Sequence, residues 1–254
     1  MLSIERQQII KDQIYKKGSV RVSELSTKFG VHEETIRRDL KTIAEKWDIE
    51  LIYGGACLKS AAMASVKEMA LIAKRNKNYD AKQIIAKKAA ALVEPGDVIA
   101  LNSGSTVEYI LDYHKDKIPF SVVTINVNVA AKASLIDGIN VYLPGGMIRG
   151  KSGTVIGPGA VDFIKSFSID KYFVGASAVS IGKGITHPVM VEVELNQALY
   201  ESSAKSYLVC DSSKIGKNAL FKMIDLDGMD SCIVDDNFPD DYKNYLTEKN
   251  IQII

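Results

Sequence analysis

From about residue 80 to its end, the chain alternates short apolar runs with helix-length segments, a rhythm that few architectures accommodate. Strand-like runs stand at 98–101, 121–125, 140–143, 172–174, 207–210 and 231–234. Helix-length segments at 81–93, 106–114 and 190–204 lie between several of them. A helix between two strands carries the chain back across the sheet, so these strands pair in parallel beneath covering helices. The expected class for this part is α/β with a mostly parallel sheet.

The runs end in small and polar residues: "NSGST" (102–106), "NVN" (126–128), "PGG" (144–146), "GASA" (175–178) and "DSSK" (211–214). Parallel strands gather such loops on one edge, where open α/β sheets place their ligand crevice. In "ALNSGSTVEYIL", Gly104 allows a tight turn and Ser105 and Thr106 open a helix, so free N–H groups and hydroxyls favour a phosphate or carboxylate. A serine/threonine cap without any ligand is the plainer alternative. The stretch is neither a P-loop nor a G-x-G-x-x-G fingerprint. Lys214 and Arg149 are candidate cations for the same anion, and both also fit solvated loop charges. His187, ahead of Pro188, fits a structural role, and Glu192 and Glu194 are expected to cap or pair locally.

Residues 1–58 have a different character. They read as three helices and a hairpin, a small winged helix-turn-helix. Ile4, Ile9, Ile10 and Ile14 give the first helix an apolar stripe, and Gly18 ends it. Ser23 is the expected N-cap of the second helix and Gly30 its turn. Ile36, Leu40, Ile43 and Trp47 define one buried face of the third helix, and two apolar runs around Gly54 and Gly55 form the hairpin. At about 100° per residue from Ile36, Glu34, Arg38 and Lys41 point outward and Arg37 lies on the flank. Two i,i+4 pairs, Glu33–Arg37 and Glu34–Arg38, would be worth roughly 0.2–0.5 kcal/mol each and would not require arginine. The planar guanidinium fork suits guanine edges and phosphates, and a helix-turn-helix offers this face to the major groove.

Bulk properties bound the rest. At 254 residues, two domains are expected: 1–58, a helical connector at 59–78 rich in Ala, Lys and Met, and 79–254. A net charge of +1, with 10 basic against 9 acidic residues in 1–58, excludes a grossly basic nucleic-acid coat, so any DNA footprint is local. Cys57, Cys210 and Cys232 are far apart and read as reduced thiols. The charged amphipathic N-terminus argues against a signal peptide or membrane span, so a cytoplasmic chain is expected.

"VSELSTKFGVHEETIRRDLKTI" followed by "YGGA" closely resembles the DNA-binding domain of the DeoR family of bacterial transcriptional regulators, with T-I-R-R-D-L (35–40) matching its pattern fully. His32, Leu51 and Tyr53 replace the family's usual serine, arginine and histidine. "LNSGSTVEYIL", "VVTINVNVA", "LPGGMIRG", "VIGPGA", "FVGASAV", "GIT" and "LVCDSSKIGKNALFKM" resemble, in order, the family's sensor domain, which is similar to ribose-5-phosphate isomerase. The resemblance implies a repressor of a sugar operon, controlled by a phosphorylated sugar, with no cofactor, metal set or catalytic residue. It implies double-stranded operator DNA as partner and a homodimer or homotetramer. DNA contact is implied for Arg21, Ser23, His32, Glu34, Thr35, Arg37, Arg38 and Lys41, with Tyr53, Gly54 and Gly55 on the wing. Ser103, Gly104, Ser105 and Thr106 would hold the phosphate. Thr124, Asn126, Gly145, Gly146, Gly175, Ala176, Thr186 and Lys214 would line the pocket, together with Arg149 and with Asn102, which stands where aspartate is usual. Two rivals are an active isomerase fused to a DNA-binding module and a constitutive binder whose second domain only oligomerises. Isomerisation needs a positioned carboxylate, and residues 175–180 contain none.

Overall fold

The computed structural model describes residues 2–17, 19–47, 49–58, 78–114, 118–150 and 152–254. The chain divides into two units, Met1–Lys74 and Arg75–Ile254. The end of the first helix at Gly18 and the connector at 59–78, apart from Asn78, lie outside the described residues.

In the first unit, helix α1 (Ser3–Lys17) leads into strand β1 (Ser19–Arg21), helices α2 (Val22–Phe29) and α3 (Glu33–Lys46), and strands β2 (Ile49–Ile52) and β3 (Gly55–Leu58). The strands form an antiparallel sheet in the order β1-β3-β2. Ile10, Ile14, Leu25, Ile36, Leu40, Ile43 and Ile49 form its core, with Phe29, Val31 and Trp47 packed around it. Two local expectations give way. The buried line of α1 runs through Arg6, Ile10 and Ile14, while Ile4 is 80% exposed and Ile9 40%. Residues four apart share a helix face, and Arg6 rather than Ile4 continues the line because it has a buried partner. Ser23 is not the N-cap of α2, because residues 19–21 are committed to pairing with β3 and the helix starts at Val22.

The second unit holds a seven-stranded sheet in the order β15-β14-β12-β9-β4-β5-β6. Its strands are β4 (Val98–Leu101), β5 (Phe120–Thr124), β6 (Ile139–Tyr142), β9 (Ile169–Gly175), β12 (Ser203–Val209), β14 (Ser231–Ile233) and β15 (Gln252–Ile253). All six pairings are parallel. Side chains alternate across the sheet. Tyr172, Val174, Ala100 and Leu208 pack on one side with α7 (Pro158–Lys165) and α8 (Met190–Glu201). Phe173, Ile99, Leu101 and Val209 pack on the other with α4 (Tyr79–Ala90), α5 (Ser105–Ile110) and α6 (Val127–Ala133). The hairpin β7 (Met147–Arg149) with β8 (Thr154–Ile156), and the antiparallel set β10 (Ala178–Ser180), β11 (Gly184–His187) and β13 (Phe221–Ile224), extend the unit beyond the sheet. Helix α9 (Asp240–Glu248) precedes β15. All three cysteines are buried free thiols, and burial pushes the Cys232 thiol up to about 12. No helix among the described residues is long and apolar enough to cross a membrane.

Candidate functional site

Helix α3 turns Ile36, Leu40 and Ile43 inward and leaves Glu34, Arg37, Arg38 and Lys41 exposed. These four residues line a groove together with Leu51, Ile52, Gly54 and Gly55 of the hairpin. The two arginines are not equivalent. Arg37 donates to Glu33 at 2.7 Å and to Glu34 at 3.5 Å. Arg38 and Lys41 have no ion-pair partner among the described residues, so the expected Glu34–Arg38 pair is replaced by Glu34–Arg37. His32 occupies the N-cap position of α3 with extended backbone and lends no side-chain hydrogen bond. Thr35 is half-buried, and Arg21 and Ser23 are exposed at the start of α2.

The next residue in the same string does the opposite. Asp39 is 4% exposed; its carboxylate accepts from Arg6 Nε at 2.6 Å, from Gln7 at 2.8 Å and from Ser3 at 3.2 Å. It fastens α1 to α3. The signal was present, since Asp39 is i+3 from Ile36 and therefore near the inward side.

The hairpin geometry accounts for its paired glycines. Ile52 pairs with Gly55, so Tyr53 and Gly54 make a two-residue turn in which Gly54 takes φ 79. A Cβ on Gly55 would lie 2.0 Å from the Val20 carbonyl oxygen. Val22 N–H donates to Gly54 O at 2.8 Å. Tyr53 stands fully exposed at the tip.

In the second unit, hydrogen bonds join the loops at 102–106, 126–128 and 175–178 at the carboxyl edge of the sheet. Asn102 Nδ2 donates to Gly175 O at 3.0 Å and to Asn196 Oδ1 at 2.7 Å, and Asn102 Oδ1 accepts from Gly175 N–H at 2.9 Å. Asn126 accepts from the N–H groups of Asn128 and Val129 at the start of α6 and donates to Ser103 Oγ and to Ser152 O. Ser103 and Thr154 share a hydrogen bond of 2.7 Å. Thr124 donates to Leu101 O, and Thr186 joins Ala178 O to Ala219 N–H. Asn102, Thr124, Asn126 and Thr186 are thus buried and bonded internally, so they build the rim rather than face open space. Both N–H donors of Asn102 are thus used within the protein.

The half-exposed residues here are Ser103, Gly104, Ser105, Arg149, Gly175, Ala176 and Lys214, with Gly145 and Gly146 exposed before β7 and Thr106 buried. Gly104 is the N-cap of α5 and has no side chain to satisfy the first-turn N–H groups. Glu192, expected to cap or pair locally, instead joins groups 40 and 43 residues away. Its carboxylate, 3% exposed, accepts from Arg149 Nη1 and Ser152 Oγ, both at 2.9 Å, and lies 3.5 Å from His187 Nε2. Asp211 caps the turn carrying Lys214 and accepts from Asn78 Nδ2 at 2.7 Å. Burial opposes charge on Asp211, but hydrogen bonds from Ser213 and Asn78 and the nearby Lys214 together hold its pKa below the usual value.

Residues 6–62 match the DeoR-like helix-turn-helix domain, and residues 77–236 match the DeoR C terminal sensor domain. An uncharacterized HTH-type transcriptional regulator of Bacillus subtilis (strain 168), FruR, is 34% identical over 85% of this chain and 85% of its own. The HTH-type transcriptional regulator IolR of the same organism is 27% identical over 99% of both. The glycerol-3-phosphate regulon repressor of Escherichia coli (strain K12) is 29% identical over 100% of this chain and 99% of its own. Among solved structures, ribose 5-phosphate isomerase A from Methanocaldococcus jannaschii overlaps 54% of this chain and 55% of its own at 18% identity and TM-score 0.41. The eIF2B delta subunit from Chaetomium thermophilum overlaps 78% and 69% at 19% identity and TM-score 0.43, and neither overlap bears on chemistry. With both halves matched in order and relatives aligned along nearly its whole length, the chain belongs to the DeoR family of transcriptional regulators.

Proposed function

We propose that this regulator is a repressor of a sugar operon, with residues 1–58 as its DNA-binding domain and 79–254 as a sensor for a phosphorylated sugar. The observation that carries the DNA half is that Arg38 and Lys41 stand exposed, without ion-pair partners among the described residues, opposite the buried line of α3. Arg37 is restrained by two glutamates and must exchange them for DNA, so it contributes less. Arg38→Ala is expected to cost about 1–3 kcal/mol of operator affinity, with a smaller loss for Arg37→Ala. Fluorescence anisotropy on an operator duplex reads both. A double variant that binds like the parent would sink the assignment.

The sensor half rests on the first turn of α5, where Gly104 lends no side-chain cap and Ser105 and Thr106 open the helix. One relative is named for the glycerol-3-phosphate regulon, which supports a phosphorylated polyol or sugar as effector. The effector must favour the form with weaker operator affinity, because a ligand with equal affinity for both forms shifts nothing. Titration calorimetry with a panel of sugar phosphates is expected to find a binder whose affinity falls about tenfold or more in Ser105→Ala/Thr106→Ala, since charge-assisted hydrogen bonds are the strong ones. No binder in the panel, or an unchanged affinity, refutes the site. Binding without turnover is favoured: residues 175–180 hold no carboxylate, and Glu192 is already engaged by Arg149 and Ser152. A dimer or tetramer accords with the two half-sites such modules read.

A further inference from the structure

Arg149 is a cation at the sensor edge, yet its charge is already matched. Its side chain is 38% exposed and donates to Glu192 Oε1 at 2.9 Å, while the Glu192 side chain is 3% exposed. Ser152 Oγ donates to the same oxygen at 2.9 Å. The second oxygen, Oε2, has His187 Nε2 at 3.5 Å, longer than an ordinary hydrogen bond. His187 Nδ1 accepts from Val189 N–H at 3.2 Å, which leaves the ring proton on Nε2 facing the carboxylate. The ring brings a proton but no charge, so arginine, glutamate and histidine together sum to zero.

This trio is tied to the rim from two sides. Ser152 O accepts from Asn126 Nδ2, which also donates to Ser103 Oγ. Glu192 O accepts from Asn196 Nδ2, and Asn196 Oδ1 accepts from Asn102 Nδ2. A carboxylate fixed in this way beside the loop at 103–106 repels any further anion brought to it, and like charges held together suppress wrong partners. We infer that Glu192 sets the charge class of the effector: the site takes a sugar or polyol with one phosphate and an otherwise neutral body, and it rejects bisphosphates and phosphorylated sugar acids. Glu192 does so by cancelling Arg149, which would otherwise draw a second anion. What remains is a neutral hydrogen-bonding surface suited to hydroxyl groups. Selectivity of this kind comes from a repulsive element as well as from attractive contacts.

The inference rests on the sensor reading above, and probes paired by charge separate the two. Calorimetry on the full-length chain compares glycerol-3-phosphate with 3-phosphoglycerate, glucose-6-phosphate with 6-phosphogluconate, and fructose-6-phosphate with fructose-1,6-bisphosphate. The parent is expected to bind a singly phosphorylated probe at least about tenfold more tightly than its counterpart with a second anion. Glu192→Gln should narrow that ratio by about tenfold or more, because Arg149 is then free to meet the second anion. Arg149→Gln should widen it, because Glu192 is left uncancelled. Opposite shifts are the decisive readout, since a contact that only fastened the hairpin would move both ratios the same way. The double variant should return near the parental ratio. If Glu192→Gln does not fold, Arg149→Gln decides alone, since its side chain reaches the surface. Ser105→Ala/Thr106→Ala should weaken both members of a pair alike, so it reports on the phosphate site and not on Glu192. A parent that binds doubly anionic probes equally well, or single variants that shift the ratio together or not at all, overturns the inference and leaves the phosphate site standing. If none of the six probes binds, the sensor reading and this inference fall together.

Discussion

Asp39→Ala should lower the stability of the first unit by about 3–5 kcal/mol, the usual consequence of stranding one member of a buried ion pair. Arg6 and Asp39 have side chains 10% and 5% exposed, and Gln7 and Ser3 complete the carboxylate's acceptor sites. Removing the carboxylate strands the guanidinium inside the helix pair, whereas removing Arg37's partners at the surface costs a few tenths of a kcal/mol. Trp47 is the chain's one tryptophan and packs on the first unit's core, so urea unfolding followed by its fluorescence reports that unit alone. A loss below about 1 kcal/mol would mean that water reaches Arg6 and that the pair is not the fastening it is taken for. The double variant Arg6→Met/Asp39→Leu should recover most of the loss, because well-packed apolar residues often replace a buried pair at little cost. Recovery in the double variant, together with retained operator binding, would show that Asp39 acts on the fold rather than on DNA.

Asp39 also marks where the helical wheel stops being informative. Drawn from Ile36, the wheel separates Arg38 and Lys41 from Leu40 and Ile43 correctly, because the core of a three-helix unit needs only one apolar face per helix. It passes over Asp39, whose charge suggests an exposed side chain although its position lies near the inward side. The six strand-like runs all became strands of the parallel sheet, for continuous apolar runs between turn signals are what a doubly covered sheet requires. The short antiparallel strands at 178–180 and 184–187 are three and four residues long, too brief to show a period. Helices α6 and α7 were legible in hindsight: Asn126 caps the first, and Pro158 stands in the first turn of the second. The rim of the sensor edge was not. Asn102 reaches partners 73 and 94 residues away, and Glu192 meets groups 40 and 43 residues distant, so their burial is decided by the tertiary fold.

Asn102→Asp isolates that tertiary logic in one atom. The amide nitrogen of Asn102 is a donor between two acceptors, Gly175 O and Asn196 Oδ1. An aspartate keeps the oxygen that takes the Gly175 N–H but turns the other group into a third acceptor, 3% exposed in the parent. Asn196 could reverse its amide to offer a donor, yet its Nδ2 now donates to Glu192 O and its Oδ1 accepts from Tyr172, so reversal loses both. Each buried acceptor left without a donor costs about 1–3 kcal/mol, and a stability loss on the order of 3 kcal/mol is expected for the second unit. Far-UV circular dichroism in urea measures it, apart from the Trp47 signal. The sign of its pH dependence is set by the same environment. Burial among acceptors raises the introduced carboxyl's folded-state pKa above the unfolded value of about 3.9, so the protonated form, which can donate once, is favoured in the fold. The deficit against the parent should therefore be smallest near pH 4 and grow as pH rises through the raised pKa, then level off. A deficit that shrinks as pH rises, or none at any pH, would mean that a donor reaches this position from elsewhere and that Asn102 does not join β4 to β9 by its amide.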